Sequence, residues 1–411
     1  MGAPSIDISF IEKGITAIAR SERGIVMLWV KDRLPLSCAN PIAVIMESDI
    51  PEGLSEETVE QVKFAMTGYT NAPKKILVYC MGAGMDTGED TGTGGSEDLE
   101  TGLNLEETHI TTDSIEAGYK KAMEASETIK FDYLAIPTVE TDGKTEDVAT
   151  WVKSMRSNKK KKIKAVLPNV AADNEGIINF TTPEMVKTVT STQEDGSRTV
   201  KDIIYTAEQY CSRIAGLIAG TPITISCTYA PLPELSDCTR LTDIDTPVDK
   251  GEFILFYDGE KVKVVMGVNS FVTTIDGKGD SFKKIKIVEA MDMIHDDITR
   301  TAQDSYLGKY ANSYSNKCLL LSAISSYFAQ LQADGVVSAY SVSLDSEAIR
   351  RWLKGKGLQA VIDDGHGGIT KDVDECTDEE IIKADTGNNV LLTGSAKILD
   401  AIENIKMPIY I

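Results

Sequence analysis

Apolar and polar residues alternate at both ends of the chain. The apolar positions of these stretches are Ile6, Ile8 and Phe10 near the start, and Ile405, Met407, Ile409 and Ile411 at the far end. A period of two predicts a strand with one apolar face. Pro408 has no N–H to donate to a ladder, so we expect the C-terminal strand to lie at a sheet edge. Because chain ends fray unless something holds them, both predicted strands need a partner sheet.

Between the ends, short apolar runs alternate with stretches of helical periodicity. The predicted strands cover residues 24–30, 42–46, 76–80, 133–136 and 163–167, and the predicted helices cover 55–66, 114–129 and 148–155. A further helix begins after Thr206, which has Gln209 as its capping-box partner, and ends at Gly220. Strands and helices that alternate at this spacing are typical of a largely parallel sheet covered on both faces.

The pattern changes further along the chain. Two apolar stretches, 253–257 and 260–266, flank Asp258-Gly259, a dipeptide that favours a tight hairpin. Two helical stripes follow, at residues 288–298 and, wider, at 319–331. We therefore predict a compact α+β region that ends in the C-terminal strand.

Together these patterns predict a multi-domain α/β protein with a central mixed or parallel α/β domain and a C-terminal α+β domain. The expected parts are an N-terminal strand arm at 1–20, an α/β domain at 21–240, a β-hairpin segment at 241–284, and a C-terminal α+β domain at 285–411 whose last residues, 405–411, form a second strand arm. Residues 82–107 are rich in Gly, Thr, Asp and Glu, and we predict that they form a mobile acidic surface loop.

The net charge of the chain says more about its possible binding partners than its overall composition does. The 411 residues are 42% hydrophobic and 26% charged, which is ordinary for a folded protein. The formal net charge of −21 argues against nucleic acid as a partner, because phosphate binding needs clustered Lys and Arg. Neither a membrane-spanning run nor a signal-peptide pattern is predicted. The seven cysteines include no CxxC pair, which favours reduced thiols over disulfides.

The sequence contains only weak candidates for catalytic and ligand sites. Gly82 and Gly84 follow a predicted strand, but Thr87 occupies the third glycine position of a dinucleotide loop. Four lysines at 159–162 suit the end of a helix better than a nucleic-acid patch. The acidic groups considered as metal ligands are Asp243, Asp245 and Asp249, and separately Asp363, Asp364 and His366. Neither group has EF-hand spacing.

A hydrolase site also lacks support. The three histidines are His109, His295 and His366, and no GxSxG motif supplies a nucleophile. We therefore predict no catalytic, cofactor-binding or metal-binding residues, and no cofactor. The apolar-faced strands at the chain ends are then the main functional signal of the sequence.

Several short stretches, in order along the chain, resemble landmarks of one protein family. They are ARSERGI at 19–25, FDYLAIP at 131–137, AADNEGI at 171–177, IAGLIAGTP at 214–222, GVNS at 267–270, KIV at 286–288, YLGKY at 306–310 and AIENIKM at 401–407. The chain resembles the sheath proteins of contractile phage tails, of the kind found in Gram-positive prophages and in R-type tailocins, which are headless phage-tail-like bacteriocins. It departs from that pattern at 82–107, where related sheaths usually have a small β insert.

The resemblance implies both a fold and a function. The middle domain would have a subtilisin-like topology without protease residues. The chain would be a structural, non-enzymatic subunit that polymerises helically around an inner tube and contracts from a metastable extended state, driving the tube through a target cell envelope. Its chain-end strands would join the sheets of neighbouring subunits by β-augmentation.

The resemblance also implies partners and a location. The partners would be further copies of the chain, the inner tail tube protein, and baseplate and tail terminator proteins, with no nucleic acid and no direct membrane insertion. Assembly would take place in the bacterial host cytoplasm, and the product would be a virion tail or a released tailocin. Two alternatives stay open at this point: an α/β hydrolase-like enzyme, and another virion structural protein such as a tube or capsid-associated component.

Overall fold

The structure is a computed structural model that describes residues 17–20, 23–36, 38–84, 112–192, 198–363 and 368–409. The chain divides into two compact units. The larger unit comprises Glu22–Glu289 and Ala401–Ile411, and the smaller unit comprises Met1–Ser21 and Ala290–Asp400. Most of the predicted acidic loop, from residue 85 to residue 107, lies outside the described residues.

The larger unit contains twelve of the described strands and five complete helices. In chain order they are β1 (Ile25–Val30), β2 (Ile42–Val44), α1 (Glu56–Met66), β3 (Lys75–Cys80), α2 (Thr112–Ser126), β4 (Tyr133–Ala135), α3 (Thr145–Ser157), β5 (Lys164–Pro168), β6 (Ile177–Phe180), β7 (Glu184–Thr192), β8 (Arg198–Thr206), α4 (Ala207–Ala219), β9 (Asp237–Cys238), α5 (Asp245–Asp249), β10 (Glu252–Phe253), β11 (Leu255–Tyr257) and β12 (Val262–Val264).

Seven of these strands form the central sheet, in the order β10-β6-β5-β4-β1-β3-β2. All neighbours in it are parallel except β2, which runs antiparallel to β3 at one edge. Strand β1 lies inside the sheet, between β4 and β3, and is buried on both faces. Its alternate residues Val26 and Leu28 pack with α1 and α4, whereas Met27 and Trp29 pack with α2 and α3. The predicted parallel sheet with two covered faces is confirmed.

Local signals place the starts of α1 and α4 as predicted. The hydroxyl of Ser55 accepts the N–H of Thr58 at 3.2 Å and caps α1. Thr206 and Gln209 form the predicted capping box of α4, which ends at Gly220. Helices α1 and α4 approach closely at Gly216, where an added Cβ would lie 2.4 Å from the carbonyl oxygen of Ala65. Glycine is required there because any side chain would push the two helices apart.

Two parts of the larger unit differ from the prediction. Strands β7 and β8 form a long antiparallel hairpin that the sequence analysis did not identify. The predicted hairpin at Asp258-Gly259 exists between β11 and β12, but its loop has four residues, because Glu260 and Lys261 belong to the loop instead of the second strand. Their N–H groups donate to the Asp258 carboxylate, at 2.9 Å each. Phe253, predicted in the hairpin, instead pairs with β6.

Helix α6 (Ile285–Thr301) begins in the larger unit and continues into the smaller one, where a π-helical turn follows at Ala302–Tyr306. The remaining elements of the smaller unit are α7 (Tyr314–Ala333), β13 (Val337–Leu344), α8 (Ser346–Gly355), β14 (Ala360–Ile362), β15 (Ile369–Lys371), α9 (Asp378–Ile381) and β16 (Leu392–Ile398). Ile349 and Leu353 of α8 pack against Ile362 and Ile381 in a small separate core. The predicted helical stripes at 288–298 and 319–331 thus lie in α6 and α7.

Candidate assembly surfaces

Strands β13 and β16 form a two-stranded antiparallel ribbon in the smaller unit. Pairing runs from Val337 opposite Ile398 to Leu344 opposite Leu392. Among the residues that the structure describes, neither strand has a second strand partner. The ribbon therefore has two open edges, and such edges are templates for pairing with another chain.

The register tells which backbone groups lie along these edges. The N–H of Asp345 donates to the carbonyl of Leu391 at 3.0 Å, so positions in step with this pair are the hydrogen-bonded ones. The positions between them direct their N–H and C=O groups outward. Those positions are Tyr340, Val342 and Leu344 on β13, and Leu392, Gly394 and Ala396 on β16. Each edge therefore exposes the N–H and C=O groups of three residues.

The two faces of the ribbon differ. On one face Tyr340 stacks on Phe328 of α7, with 5.6 Å between ring centroids. On the other face the side chains are small and polar, and the hydroxyls of Ser341 and Ser395 lie 2.8 Å apart across the strands. A two-stranded ribbon is marginal alone, and helix α7 supports one face of this one.

A bulge limits the edge of β13. The register shifts between Val337 and Ala339, so Ser338 is the extra residue. The side-chain amide of Gln332 donates to the carbonyl of Ser338 at 2.8 Å. Bulges of this kind stop strand pairing, so a strand added to β13 has residues 339–344 to pair with.

Beyond β16 the chain continues without a strand through residue 409. Its apolar side chains are highly exposed: Ile402 at 87%, Ile405 at 85%, Met407 at 72% and Ile409 at 73%. Ile411 and the N-terminal residues Ile6, Ile8 and Phe10 lie outside the described residues. The strand assignment of both chain ends therefore stays a prediction, and the described part of the C-terminal end is an exposed apolar segment. Such segments are typical of interaction sites.

One residue of this segment is held firmly. The Glu403 carboxylate, with a 9% exposed side chain, lies 2.6 Å from Nζ of Lys284. It also accepts a hydrogen bond from the Thr228 hydroxyl at 3.1 Å. The exposed apolar side chains thus stand on both sides of an ion pair within the larger unit.

A second charge cluster lies at the start of the central sheet. Both oxygens of the Glu289 carboxylate are used: Arg23 Nε lies 2.6 Å from one, and Lys164 Nζ and the Tyr133 hydroxyl each lie 2.7 Å from the other. Burial opposes ionisation of Glu289, but Arg23, Lys164 and Tyr133 outweigh it and hold its pKa well below the usual range. Nearby, burial raises the pKa of Asp132, partly offset by Arg23.

The sequence analysis missed this cluster. Lys164 begins a strand whose residues are all buried, and its own side chain is 1% exposed. A lysine within an apolar run is a signal for a buried partner, because an unpaired buried charge is very costly. The partner itself could not be identified, since Lys164 and Glu289 are 125 residues apart.

The described residues of the candidate chemical sites have local contacts. Asp243 accepts the N–H groups of Asp245 and Thr246 and caps α5. Nδ1 of His295 lies 3.1 Å from its neighbour Asp296. Within the described residues no three His, Cys, Asp or Glu side chains are grouped to hold a metal ion, while His109, Asp364 and His366 lie outside them. No described helix is long and apolar enough to span a bilayer.

The lysine run at 159–162 follows the end of α3, as predicted. Lys160 has a positive φ of 57°, which turns the chain sharply after the helix. The ammonium of Lys161 donates to the carbonyl of Glu127, and Lys159 pairs with the Glu127 carboxylate. These contacts account for two of the four lysines within the fold.

Two family models match most of the chain. Residues 110–270 match the model described as the phage tail sheath protein central domain, and residues 277–411 match the one described as the phage tail sheath C-terminal domain. Over 409 residues the chain is 32% identical to the tail sheath protein of Clostridium phage phiCD119. The match covers 99% of this chain and 98% of that protein. A protein of the phage-like element PBSX of Bacillus subtilis is 31% identical over 191 residues, 45% of this chain and 38% of the relative.

Solved structures with the same fold are also sheath proteins. The sheath tail protein of Desulfitobacterium hafniense has a TM-score of 0.61 at 19% identity, over 96% of this chain and 100% of that chain. The sheath tail protein of Listeria innocua has a TM-score of 0.57 at 19% identity, and the match covers 80% of this chain and 90% of that chain. These likenesses confirm the predicted α/β fold class, whereas the subtilisin-like topology stays a prediction. The matches along the sequence identify the family: this chain belongs to the phage tail sheath proteins.

Proposed function

We propose that this chain is the repeating subunit of a contractile tail sheath. Subunits polymerise helically around an inner tube in a metastable extended state, and contraction drives the tube through a target cell envelope. The observation that carries the proposal is the ribbon of β13 and β16, whose two open edges equal in number the two predicted strand arms of the chain. Family membership supports the same conclusion.

The proposed linkage is β-augmentation. The arm at residues 1–20 of one subunit and the arm at 405–411 of another each add a strand to the ribbon of a third, giving four strands. With about five ladder bonds per arm at roughly 1 kcal/mol each, and with apolar side chains buried as well, each link is worth several kcal/mol. Because one surface binds a different surface of the next copy, the contacts are heterologous and generate an open helix.

The same proposal gives the parts of the chain their roles. The α/β domain at 21–240 and the hairpin segment at 241–284 form the body of the subunit, and the domain at 285–411 forms the linking region. The partners are the inner tube, baseplate and terminator proteins. Assembly takes place in the host cytoplasm, the product is part of a virion tail or a tailocin, and the role is non-enzymatic.

Arm deletions test this function. Removing residues 1–10 or 405–411 from the full chain should leave a folded monomer with an unchanged melting temperature, because the C-terminal side chains removed are exposed at least from Ile405 to Ile409. Polymerisation, followed by electron microscopy and sedimentation, should be lost. A matched control replaces exposed Leu36, which is outside both arms, with Ser.

Normal contractible tubes from both deletion variants would overturn the arm linkage. A small monodisperse oligomer from the intact chain, together with a turnover activity, would instead favour the α/β hydrolase-like alternative. Closed rings or capsid-associated particles would favour the other virion role.

A further inference from the structure

The chain passes between its two units at three places, after Ser21, after Glu289 and after Asp400. A charged residue of the larger unit stands close to each crossing: Arg23, Glu289 and Glu403. The first and third crossings are also where the two predicted arms join the folded chain. Both roots have contacts in the larger unit, and Arg20, the last residue of the N-terminal arm, also pairs with Asp334 of the smaller unit.

The N-terminal root is held by a buried ion pair. Arg23 Nε lies 2.6 Å from the Glu289 carboxylate, and their side chains are 12% and 15% exposed. Lys164 and Tyr133 bind the second carboxylate oxygen, each at 2.7 Å. Glu289 is thus a hub with three partners. Removing one partner of a buried pair is costly, because the other charge then stays buried without it.

The C-terminal root is held by Glu403. Its partner Lys284 is the residue directly before α6, and the carbonyl of Lys284 accepts the N–H of Val288 to begin that helix. Both roots are therefore bonded to one short stretch, Lys284 to Glu289, at the start of α6. Lys284, at one end of this stretch, pairs with Glu403, and Glu289, at the other end, pairs with Arg23.

We propose that the start of α6 is an anchor for both arms, consisting of Lys284 just before the helix and Glu289 in its second turn, with their partners Glu403 and Arg23. Tension applied to either arm by a neighbouring subunit is then transferred to α6 and the central sheet. Without the anchor, the unattached part of the chain would begin where β16 ends, at Ile398. With it, the free part begins at Glu403, and Ile409 can lie at most about 20 Å from that point.

This inference rests on the proposed arm linkage, but the anchor has a readout of its own. Trypsin cleaves after Lys406, three residues beyond Glu403. Because a protease binds an extended stretch on both sides of the cut, the rate of cleavage follows how often Glu403 leaves Lys284 and Thr228. Loss of one charge-assisted hydrogen bond should raise the rate about tenfold. The measurement uses the purified full chain and does not need polymerisation.

The test is a double-mutant cycle on Glu403→Gln and Lys284→Met. Each single variant should raise cleavage after Lys406 about tenfold, and the double variant should raise it no further, because both remove the same interaction. The control is Asp280→Asn, which breaks the neighbouring exposed pair with Lys283 and should leave the rate unchanged. Equal rates in Glu403→Gln and the control, or additive effects in the double variant, would overturn the anchor.

A second readout concerns tension. Sheaths assembled from Glu403→Gln subunits should break into fragments on triggered contraction in electron micrographs, whereas Asp280→Asn sheaths should contract whole. Intact contraction of Glu403→Gln sheaths overturns the role in transferring tension. If instead deleting 405–411 leaves normal tubes, the arm linkage fails while the cleavage cycle still decides whether the anchor exists.

Discussion

The central sheet and the ribbon of β13 and β16 are opposite solutions for β-structure in one chain. The seven-stranded sheet is covered on both faces, and its inner strand β1 is buried throughout. The ribbon has two strands and two open edges, and its outer face is small and polar. The sheet is thus covered within one chain, whereas the ribbon, among the described residues, keeps two open edges of the kind that pair with further strands.

The largest effect is expected in the complete sheet. Trp29 is fully buried, donates to the Ser126 hydroxyl at 3.1 Å and lies 5.4 Å from Trp151 between ring centroids. Trp29→Ala should lower the free energy of unfolding by about 3 to 5 kcal/mol. Chemical denaturation of the monomer measures this value. A loss below about 1 kcal/mol would mean that β1 is not the centre of the core.

Glu289→Gln should cost about 3 kcal/mol of unfolding free energy, because the buried Arg23 and Lys164 both lose the negative charge that they bind. The effect should depend on pH. The folded-state pKa of Glu289 lies below its unfolded value, so its contribution is complete above about pH 4.3 and is lost as the pH falls below that value.

Stability curves of the wild type and Glu289→Gln should therefore converge in acid. Denaturation at pH 7 and at progressively lower pH measures the convergence, and exposed Glu375→Gln is the control. A constant difference across this range would contradict the assigned direction of the pKa shift.

Substitutions in the exposed C-terminal arm should affect assembly and leave monomer stability nearly unchanged. Replacing Ile405 and Ile409 together with Ser should change monomer stability by no more than about 0.5 kcal/mol, since both side chains are largely exposed. Assembly should suffer far more, because each side chain buried on pairing contributes about 1.5 to 3 kcal/mol. Sedimentation should show at least about a tenfold rise in the concentration needed for tubes. An unchanged threshold would show that these residues stay exposed in the polymer.

The smallest effect is expected on the outer face of the ribbon. Ser341→Ala removes one exposed hydrogen bond to Ser395, so monomer stability should fall by about 0.5 kcal/mol or less. Assembly should be nearly unaffected, because the linkage uses backbone groups at the edges. A strong assembly defect would instead place a partner on this face.

The sequence predicted those parts of the fold that depend on local signals. The buried strand β1, the cap at Ser55 and the capping box of α4 are each encoded within a few neighbouring residues. The hairpin of β7 and β8 was missed because its Thr and Lys residues blur the period-two pattern.

The candidate site was less accessible to prediction. Strands β13 and β16 consist largely of Ser, Thr, Gly and Ala, so no apolar stripe marks them, and about 50 residues separate the partners. The pairs Arg23–Glu289 and Lys284–Glu403 are 266 and 119 residues apart, and only the folded chain brings them together. The exposed apolar end, by contrast, was visible as a simple alternation.

One substitution tests directly whether the ribbon edge receives an arm. Ala396 is exposed, and its N–H lies on the outer edge of β16, so Ala396→Pro removes no bond within the ribbon. Ser395→Pro is the matched control, because its N–H lies on the side that pairs with Ser341 and its loss should destabilise the monomer.

The measurement is the yield of tubes in electron micrographs, with thermal melting of the same samples. Ala396→Pro should melt like the wild type and form no tubes. Normal tubes from a fully folded Ala396→Pro chain would contradict strand addition at this edge.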